Sequence, residues 1–287
     1  MAAAAVLAAG PREKKKKNML AKRALSAAAI ILGGIALVLA GGWVFTIGVG
    51  LILAIASWEY GRMFQQGGYH PSFVILIAGN FCIALASRFD NIEILSLVFS
   101  SSILLAFVAH ILAYPKQKET AAIDLAATLS GLVFIGFLGS YIVRLRYLPD
   151  GLYWLLIAIA PAGISDIGAF LTGNALGRHK MAPELSPHKS IEGYIGGVFT
   201  AAITGYATGV ISGLFTPNIT GLVGLVIGLI VGIFCPLGDL GKSLIKRQFN
   251  FKHTSNLIPG HGGVLDRADT LLWAGVIGYS IVSMFYI

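Results

Sequence analysis

Acidic and basic side chains suited to phosphate chemistry are concentrated between residues 236 and 269, a segment that separates two apolar runs. Asp239, Asp266 and Asp269 are carboxylates of the kind that hold Mg²⁺, which prefers oxygen ligands and keeps waters for phosphate oxygens. Charge is costly near a bilayer, so a charge cluster beside apolar spans is a functional-site candidate. The cations in this segment are Lys242, Lys246, Arg247, Lys252 and Arg267. Together these residue types predict metal-assisted chemistry on phosphates.

The spacing of these residues predicts which of them share a helix face. Asp266 and Asp269 are three residues apart at the start of the last apolar run, so a helix would place both carboxylates on one face. Lys242 and Lys246 follow Asp239 at i+3 and i+7, on its face if a helix resumes after the preceding proline. Two simpler explanations stay open, namely helix capping by the first pair and ion pairing of Asp239 with the lysines.

A glycine-rich turn, Pro259–Gly263, lies between these two groups. Its glycines free the backbone to turn N–H groups toward an anion, which makes Gly262 and Gly263 candidates for substrate binding. His261 is a candidate catalytic residue within the same turn. A plain turn with an interfacial histidine is the alternative.

A second polar segment follows Ser165 and contains candidate nucleotide-binding residues. Asp166 lies within an apolar run, where an unpaired carboxylate is costly. Lys189 suits phosphate binding, and Ser186 and Glu192 are polar groups that would hold a nucleotide or order the loop. A solvated loop would explain the cations equally well.

Composition and span length predict an all-α, polytopic integral membrane protein. Hydrophobic residues make up 56% of the 287 residues and charged residues 12%, against roughly 25% charge in soluble domains. The mean hydropathy is +0.80. A spanning helix needs about 20 apolar residues. About nine transmembrane helices are predicted, at 24–41, 43–58, 72–87, 92–113, 122–143, 152–172, 194–214, 219–237 and 268–287.

Charge bias predicts the orientation in the membrane. With a cytoplasmic N-terminus, every Lys and Arg except Arg88, Arg144 and Arg146 falls on the cytoplasmic side, as the positive-inside rule requires. The predicted organisation is a basic cytoplasmic tail (1–23), N-terminal helices (24–150) and a catalytic region (151–287) with cytoplasmic loops 173–192 and 238–267. The tail is a topology signal that also contacts anionic membrane lipid. Nucleic acid is not an expected partner, because no basic face with interleaved aromatics follows.

Glycines recur every fourth residue in two successive apolar runs: Gly205, Gly209 and Gly213, then Gly224, Gly228 and Gly232. This spacing makes a flat stripe on a helix and lets backbones approach closely. We expect the two helices to pack on each other, and homodimerisation through one stripe is the alternative.

The segment Ser243–Asp269 reads S-x(2)-K-R-x(4)-K-x(6)-P-G-H-G-G-x-L-D-R-x-D and closely resembles the signature of the phosphatidate cytidylyltransferase (CDP-diacylglycerol synthase) family. Further blocks resemble the family in order. They include Gly238-Asp239-Leu240, Asp166-x-Gly168-Ala169-Phe170, Gly177-x-His179-Lys180 and Ser186-Pro187-x-Lys189-x-x-Glu192-Gly193. The resemblance covers residues 130–287 well. The chain departs from the usual pattern at Ile167, at Lys242, where the family usually has Glu, and at His253, where it usually has Asp.

The resemblance implies that CTP and phosphatidic acid react to give CDP-diacylglycerol and pyrophosphate, and the expected location is a bacterial inner membrane. It implies Mg²⁺, with room for a second cation, at the three aspartates, and phosphate binding by the cations of the signature. The alternatives are a catalytically impaired relative, because of Lys242 and His253, or another membrane enzyme or transporter that handles lipid phosphates.

Overall fold

The computed structural model describes residues 26, 28–89, 91–249, 251, 254, 255, 257 and 262–286. Within these residues helices form at each of the nine predicted places, which confirms an all-α polytopic membrane protein. Seven helices are long and apolar enough to cross a membrane, and two others are shorter. In chain order the elements are α1 (Ala28–Ala40), α2 (Gly42–Gln66), α3 (Ile75–Ala86), α4 (Ile92–Lys116), α5 (Ala121–Tyr147), α6 (Gly151–Leu176), β1 (Lys180–Ala182), β2 (Ser186–Ser190), α7 (Ile191–Gly213), α8 (Gly221–Gln248) and α9 (Leu265–Phe285).

Short polar side chains define where several helices begin. The side chains of Asn91, Ser190 and Thr220 each accept a hydrogen bond from a backbone N–H in the first turn of α4, α7 and α8. Such caps satisfy donors that have no partner within the helix. These caps mark where α4, α7 and α8 begin.

The glycine stripes of α7 and α8 face each other, as expected. A Cβ added at Gly205 would lie 2.2 Å from the carbonyl oxygen of Gly224, and one at Gly228 would lie 2.4 Å from that of Ala201. The two backbones therefore pack at a distance that only glycine permits. The two stripes therefore contact each other within one chain. Homodimerisation through a stripe remains a prediction.

Two local features differ from the expectations. Helix α8 continues through Pro236 to Gln248, so the first part of the predicted loop 238–267 is helical. The predicted loop 173–192 contains an antiparallel hairpin in which Lys180 pairs with Ser190 and Ala182 with Ser186. This short hairpin connects α6 to α7.

A shared apolar core fixes the relative positions of the helices that carry the polar residues. Leu53 of α2, Ile135 of α5, Leu155 of α6, Val231 of α8 and Leu272 of α9 are all buried in it. The C-terminal parts of α2, α6 and α8 lie on one side of the core, together with the N-terminal end of α9. Polar interactions join them: Glu59 of α2 binds Leu265 of α9, Lys242 of α8 pairs with Asp269 of α9, and Asp166 of α6 lies within electrostatic range of Asp239 of α8. Asp166, Asp239 and Asp269 lie near these ends. Of the other predicted site residues, Ser186 and Lys189 lie in β2 and Glu192 lies at the start of α7.

Candidate active site

Lys242 lies at the centre of the predicted metal site. Its Nζ lies 3.1 Å from Asp239 Oδ1, 3.4 Å from Asp266 Oδ1 and 2.6 Å from Asp269 Oδ2. It also donates a hydrogen bond of 3.2 Å to the backbone carbonyl of Asp266. The lysine side chain is only 3% exposed. The three aspartates therefore converge as predicted, but they converge on an ammonium group.

Continuation of α8 beyond its proline explains this arrangement. Asp239, Lys242 and Lys246 occupy positions i, i+3 and i+7 of one unbroken helix, so they share a face. That face meets the first turn of α9, where Asp266 and Asp269 are also three residues apart. Lys246 completes the contact with a 3.0 Å ion pair to Asp266 Oδ1. The predicted sharing of helix faces is confirmed for both groups.

Asp266 is also bound by the backbone of the loop that precedes α9. Its Oδ2 accepts hydrogen bonds from the backbone N–H of Thr254 at 3.0 Å and of Gly263 at 3.2 Å. The glycine-rich turn thus directs an N–H group at an anion, and here that anion is the protein's own carboxylate. Gly262 adopts a positive φ of 82°, a conformation that favours glycine.

Glu59 of α2 organises this loop and was not among the residues predicted from the sequence. Its buried carboxylate accepts four hydrogen bonds, from Thr254 Oγ1 (3.1 Å), Ser255 Oγ (2.6 Å) and the backbone N–H groups of Val264 (2.9 Å) and Leu265 (2.8 Å). A carboxylate at the N-terminus of a helix also interacts favourably with the helix dipole. A lone Glu at the end of the second apolar run was the available signal, since such a residue needs a partner.

Close packing around Glu59 explains why residue 263 is glycine. A Cβ at Gly263 would lie 2.1 Å from Thr254 Oγ1 and 2.4 Å from Glu59 Oε2. Any larger residue would push apart the groups that hold the loop on α2. Gly263 is therefore needed to bring the loop, and with it Asp266, to the centre of the site.

The β-hairpin supplies one more cation to the centre. Lys189 Nζ lies 2.7 Å from Asp239 Oδ2. Asp166 of α6 is exposed and lies within electrostatic range of Asp239, Lys189 and Arg267. The second polar segment therefore meets the first one at Asp239.

Other candidates lie at the edge of the centre or outside it. Glu192 accepts hydrogen bonds from the backbone N–H of Arg178 (3.1 Å) and pairs with His179 Nδ1 at 2.6 Å, so it orders the hairpin. Arg247 donates to the carbonyl of Leu185 at 3.1 Å and ties α8 to the hairpin turn. Ser186 lies in the hairpin ladder opposite Ala182.

Two candidate catalytic residues, Lys252 and His261, lie outside the described residues, as does the departure at His253. The roles assigned to Lys252 and His261 remain predictions.

The predicted metal ligands do not fit a metal ion shared by all three. Within the described ranges no group of three or more His, Cys, Asp or Glu side chains is arranged to hold one. Each of the three aspartates already directs an oxygen at Lys242, whose ammonium fills the space between them. Of these three carboxylates, that of Asp239 is the most exposed, at 32%. Asp239 and the exposed Asp166 form the rim of the site.

A family model described as "Cytidylyltransferase family" matches residues 21–285, which is most of the chain. The chain belongs to the cytidylyltransferase family.

Relatives of this cytidylyltransferase are known from bacteria and plants. The "Phosphatidate cytidylyltransferase" of Staphylococcus haemolyticus is 30% identical in a match that covers 64% of this chain and 67% of the relative. The chloroplastic "Phosphatidate cytidylyltransferase 4" of Arabidopsis thaliana is 31% identical, over 85% of this chain and 68% of the relative. The "Phosphatidate cytidylyltransferase" of Bacillus subtilis is 31% identical, over 58% of this chain and 60% of the relative.

The family match also includes residues before 130, which the resemblance seen in the sequence did not cover well. In this cytidylyltransferase that part of the chain contributes Glu59, whose hydrogen bonds position the loop before α9. A cavity of about 560 Å³ lies beside the same loop. It is lined by Trp58, Arg62, Gln66, Phe251, Thr254, Ser255 and Leu257.

Proposed function

We propose that this chain is a phosphatidate cytidylyltransferase, which transfers CMP from CTP to phosphatidic acid and releases pyrophosphate. The observation that carries the proposal is the convergence of two polar segments at Asp239, where Lys189 and Lys242 both pair with its carboxylate. The site lies at the ends of apolar helices long enough to cross a membrane. A lipid phosphate and a soluble nucleotide can both reach such a place.

The reaction needs positioning and charge neutralisation more than proton transfer. A phosphate oxygen of phosphatidic acid attacks the α-phosphorus of CTP in line. A new P–O bond forms as the bond from the α-phosphorus to the bridging oxygen of the β-phosphate breaks, and that oxygen leaves with pyrophosphate. A phosphate monoester is already ionised near pH 7, so no general base is required.

The cations of the site supply the positive charge in this proposal. Lys189, Lys246 and Arg267 bind the triphosphate and stabilise charge on the leaving pyrophosphate, because fixed cations near a developing anion lower the barrier. Arg247 holds the hairpin in place through Leu185. Glu192, with Arg178 and His179, orders the same hairpin. Lys252 and His261 remain candidates on the strength of the resemblance.

The cavity beside Thr254 is the proposed position of the lipid headgroup. Thr254 lines this cavity and its backbone N–H binds Asp266, so the cavity adjoins the carboxylate centre. Arg62 provides a cation, and its guanidinium lies 5.4 Å from the ring centroid of Trp58. An arginine beside an aromatic and apolar wall suits a phosphate attached to acyl chains.

Mg²⁺ is the proposed cofactor, and the rim carboxylates Asp166 and Asp239 are the candidates to hold it. When bound there, the ion would neutralise phosphate charge. Excess chelator is expected to abolish the reaction. Full activity in excess chelator would show that the reaction does not require Mg²⁺.

We also propose that the hairpin and the loop before α9 face the cytoplasm, where CTP is found. The test places single cysteines at Glu184 in the hairpin turn and at Asn218 between α7 and α8, in a chain with Cys82→Ala and Cys235→Ala. Both positions are exposed. In sealed cells an impermeant thiol reagent should label Asn218→Cys and spare Glu184→Cys, and the reverse pattern would refute the orientation.

The experiment that tests the function uses purified protein in vesicles that contain phosphatidic acid. With CTP and Mg²⁺ we expect CDP-diacylglycerol and pyrophosphate in equal amounts, measured by lipid mass spectrometry and a coupled pyrophosphate assay. Vesicles without phosphatidic acid are the control. No lipid nucleotide across a range of divalent ions and pH values would favour the catalytically impaired relative instead.

A further inference from the structure

The surroundings of Lys242 resemble those of a bound cation. Four oxygens lie within 3.4 Å of its Nζ: one from each of Asp239, Asp266 and Asp269, and the backbone carbonyl oxygen of Asp266. These oxygens come from two helices, α8 and α9. An all-oxygen shell that includes carboxylates and a backbone carbonyl is what hard metal ions select in proteins.

The three carboxylates depend on Lys242 to different degrees. Asp239 also pairs with Lys189, and Asp266 also pairs with Lys246. Among the described residues, Lys242 is the cation within ion-pair distance of Asp269, whose side chain is only 2% exposed. A buried carboxylate without a cation is strongly unfavourable. A cation that neutralises Asp269 must therefore occupy the place where the lysine ammonium lies.

We propose that Lys242 is a built-in cation, which fills a divalent-ion position formed by Asp239, Asp266 and Asp269. The ammonium is covalently attached to α8, so its charge stays in the site, whereas a free ion would exchange with solvent. In the native chain these carboxylates hold the two helices together through the ammonium, and the centre between them takes no metal. Removal of the ammonium turns the same carboxylates into a site for one divalent ion.

This proposal concerns ion occupancy in the free protein and does not rest on the proposed reaction. The test uses purified protein without nucleotide or phosphatidic acid, with Mn²⁺ as the probe. Lys242→Met keeps the length and apolar stem of the side chain and removes the charge. We expect this variant to bind one more Mn²⁺ per chain than the native protein, by titration with electron paramagnetic resonance of free Mn²⁺. We also expect Mn²⁺ to raise its Tm more than it raises that of the native protein.

Lys246→Met is the matched control, because Lys246 pairs with Asp266 but leaves Lys242 in the centre. It should bind as many Mn²⁺ as the native protein. Adding Asp269→Asn to Lys242→Met should abolish the additional site. Equal Mn²⁺ binding by the native protein and Lys242→Met would overturn the proposal.

A second measurement keeps the test decisive if Lys242→Met does not fold. In the native background Asp269→Asn should leave the number of bound Mn²⁺ unchanged, because the carboxylate it removes already faces the ammonium. Loss of a bound Mn²⁺ in this variant would show that the native centre holds a metal ion, and the proposal would be wrong.

Discussion

Replacement of Glu59 by Gln tests whether α2 positions the catalytic loop. Each carboxylate oxygen of Glu59 accepts from one hydroxyl and one backbone N–H: Ser255 and Val264 at Oε1, and Thr254 and Leu265 at Oε2. A hydroxyl can turn to accept from the amide of Gln, whereas a backbone N–H cannot. The variant therefore leaves one buried N–H facing another donor.

The magnitude follows from the number of bonds affected. A hydrogen bond to a charged group contributes about 1.5–3 kcal/mol and a neutral one about 1 kcal/mol. Loss of one bond and weakening of the other three predict local destabilisation of at least about 3 kcal/mol. Amide hydrogen exchange at Val264 and Leu265 should then be at least about 100-fold faster, and activity should fall as Asp266 loses its fixed position.

Glu93→Gln is the matched control, because the Glu93 carboxylate lies at the start of α4, as that of Glu59 lies at the start of α9, but Glu93 is exposed. It should change exchange at Val264 by less than about twofold, since exposed substitutions of this kind have small effects on stability. If Glu59→Gln left both exchange and activity at the native level, the positioning role of Glu59 would be refuted.

Three further changes test the site and the fold. Asp239→Asn should lower activity at least ~100-fold while the protein still folds, because the carboxylate that pairs with Lys189 and Lys242 loses its charge; near-native kinetics would contradict the assignment. Arg62→Ala should raise KM for phosphatidic acid and not for CTP, whereas the exposed Lys116→Ala should change neither. Gly224→Ala should destabilise the protein by ~1–3 kcal/mol, because its Cβ would lie 2.1 Å from a carbonyl of α7. Gly163→Ala, with nothing within 4 Å, should be neutral or stabilising by up to ~1 kcal/mol in a thermal unfolding assay.

Features set by local pattern could be predicted from the sequence. Runs of apolar residues predicted where the helices lie. In a bilayer the backbone N–H and C=O groups of such a run find hydrogen-bond partners within their own helix. The spacing of Asp266 and Asp269 placed both on one face of α9. The glycine stripes predicted the α7–α8 contact, since only glycine allows backbones to approach this closely.

Features set by contacts distant in sequence could not be predicted in the same way. Glu59 lies almost 200 residues before the loop it holds, and no spacing rule connects them. The sequence showed Lys242 where the family usually has Glu. The position of its ammonium among three carboxylates depends on the packing of α8 against α9. Pro236 suggested a helix end, yet a proline removes only one backbone donor, and tertiary packing keeps α8 continuous.

Isotope labelling of CTP tests the proposed function most directly. Purified protein in vesicles with phosphatidic acid receives CTP labelled either at the α-phosphorus or at the γ-phosphorus. Transfer of CMP predicts that the α-label enters the lipid fraction and that the γ-label leaves entirely as pyrophosphate. Lipid that carries the γ-label, or an α-label that stays in the soluble nucleotides, would contradict the proposed reaction.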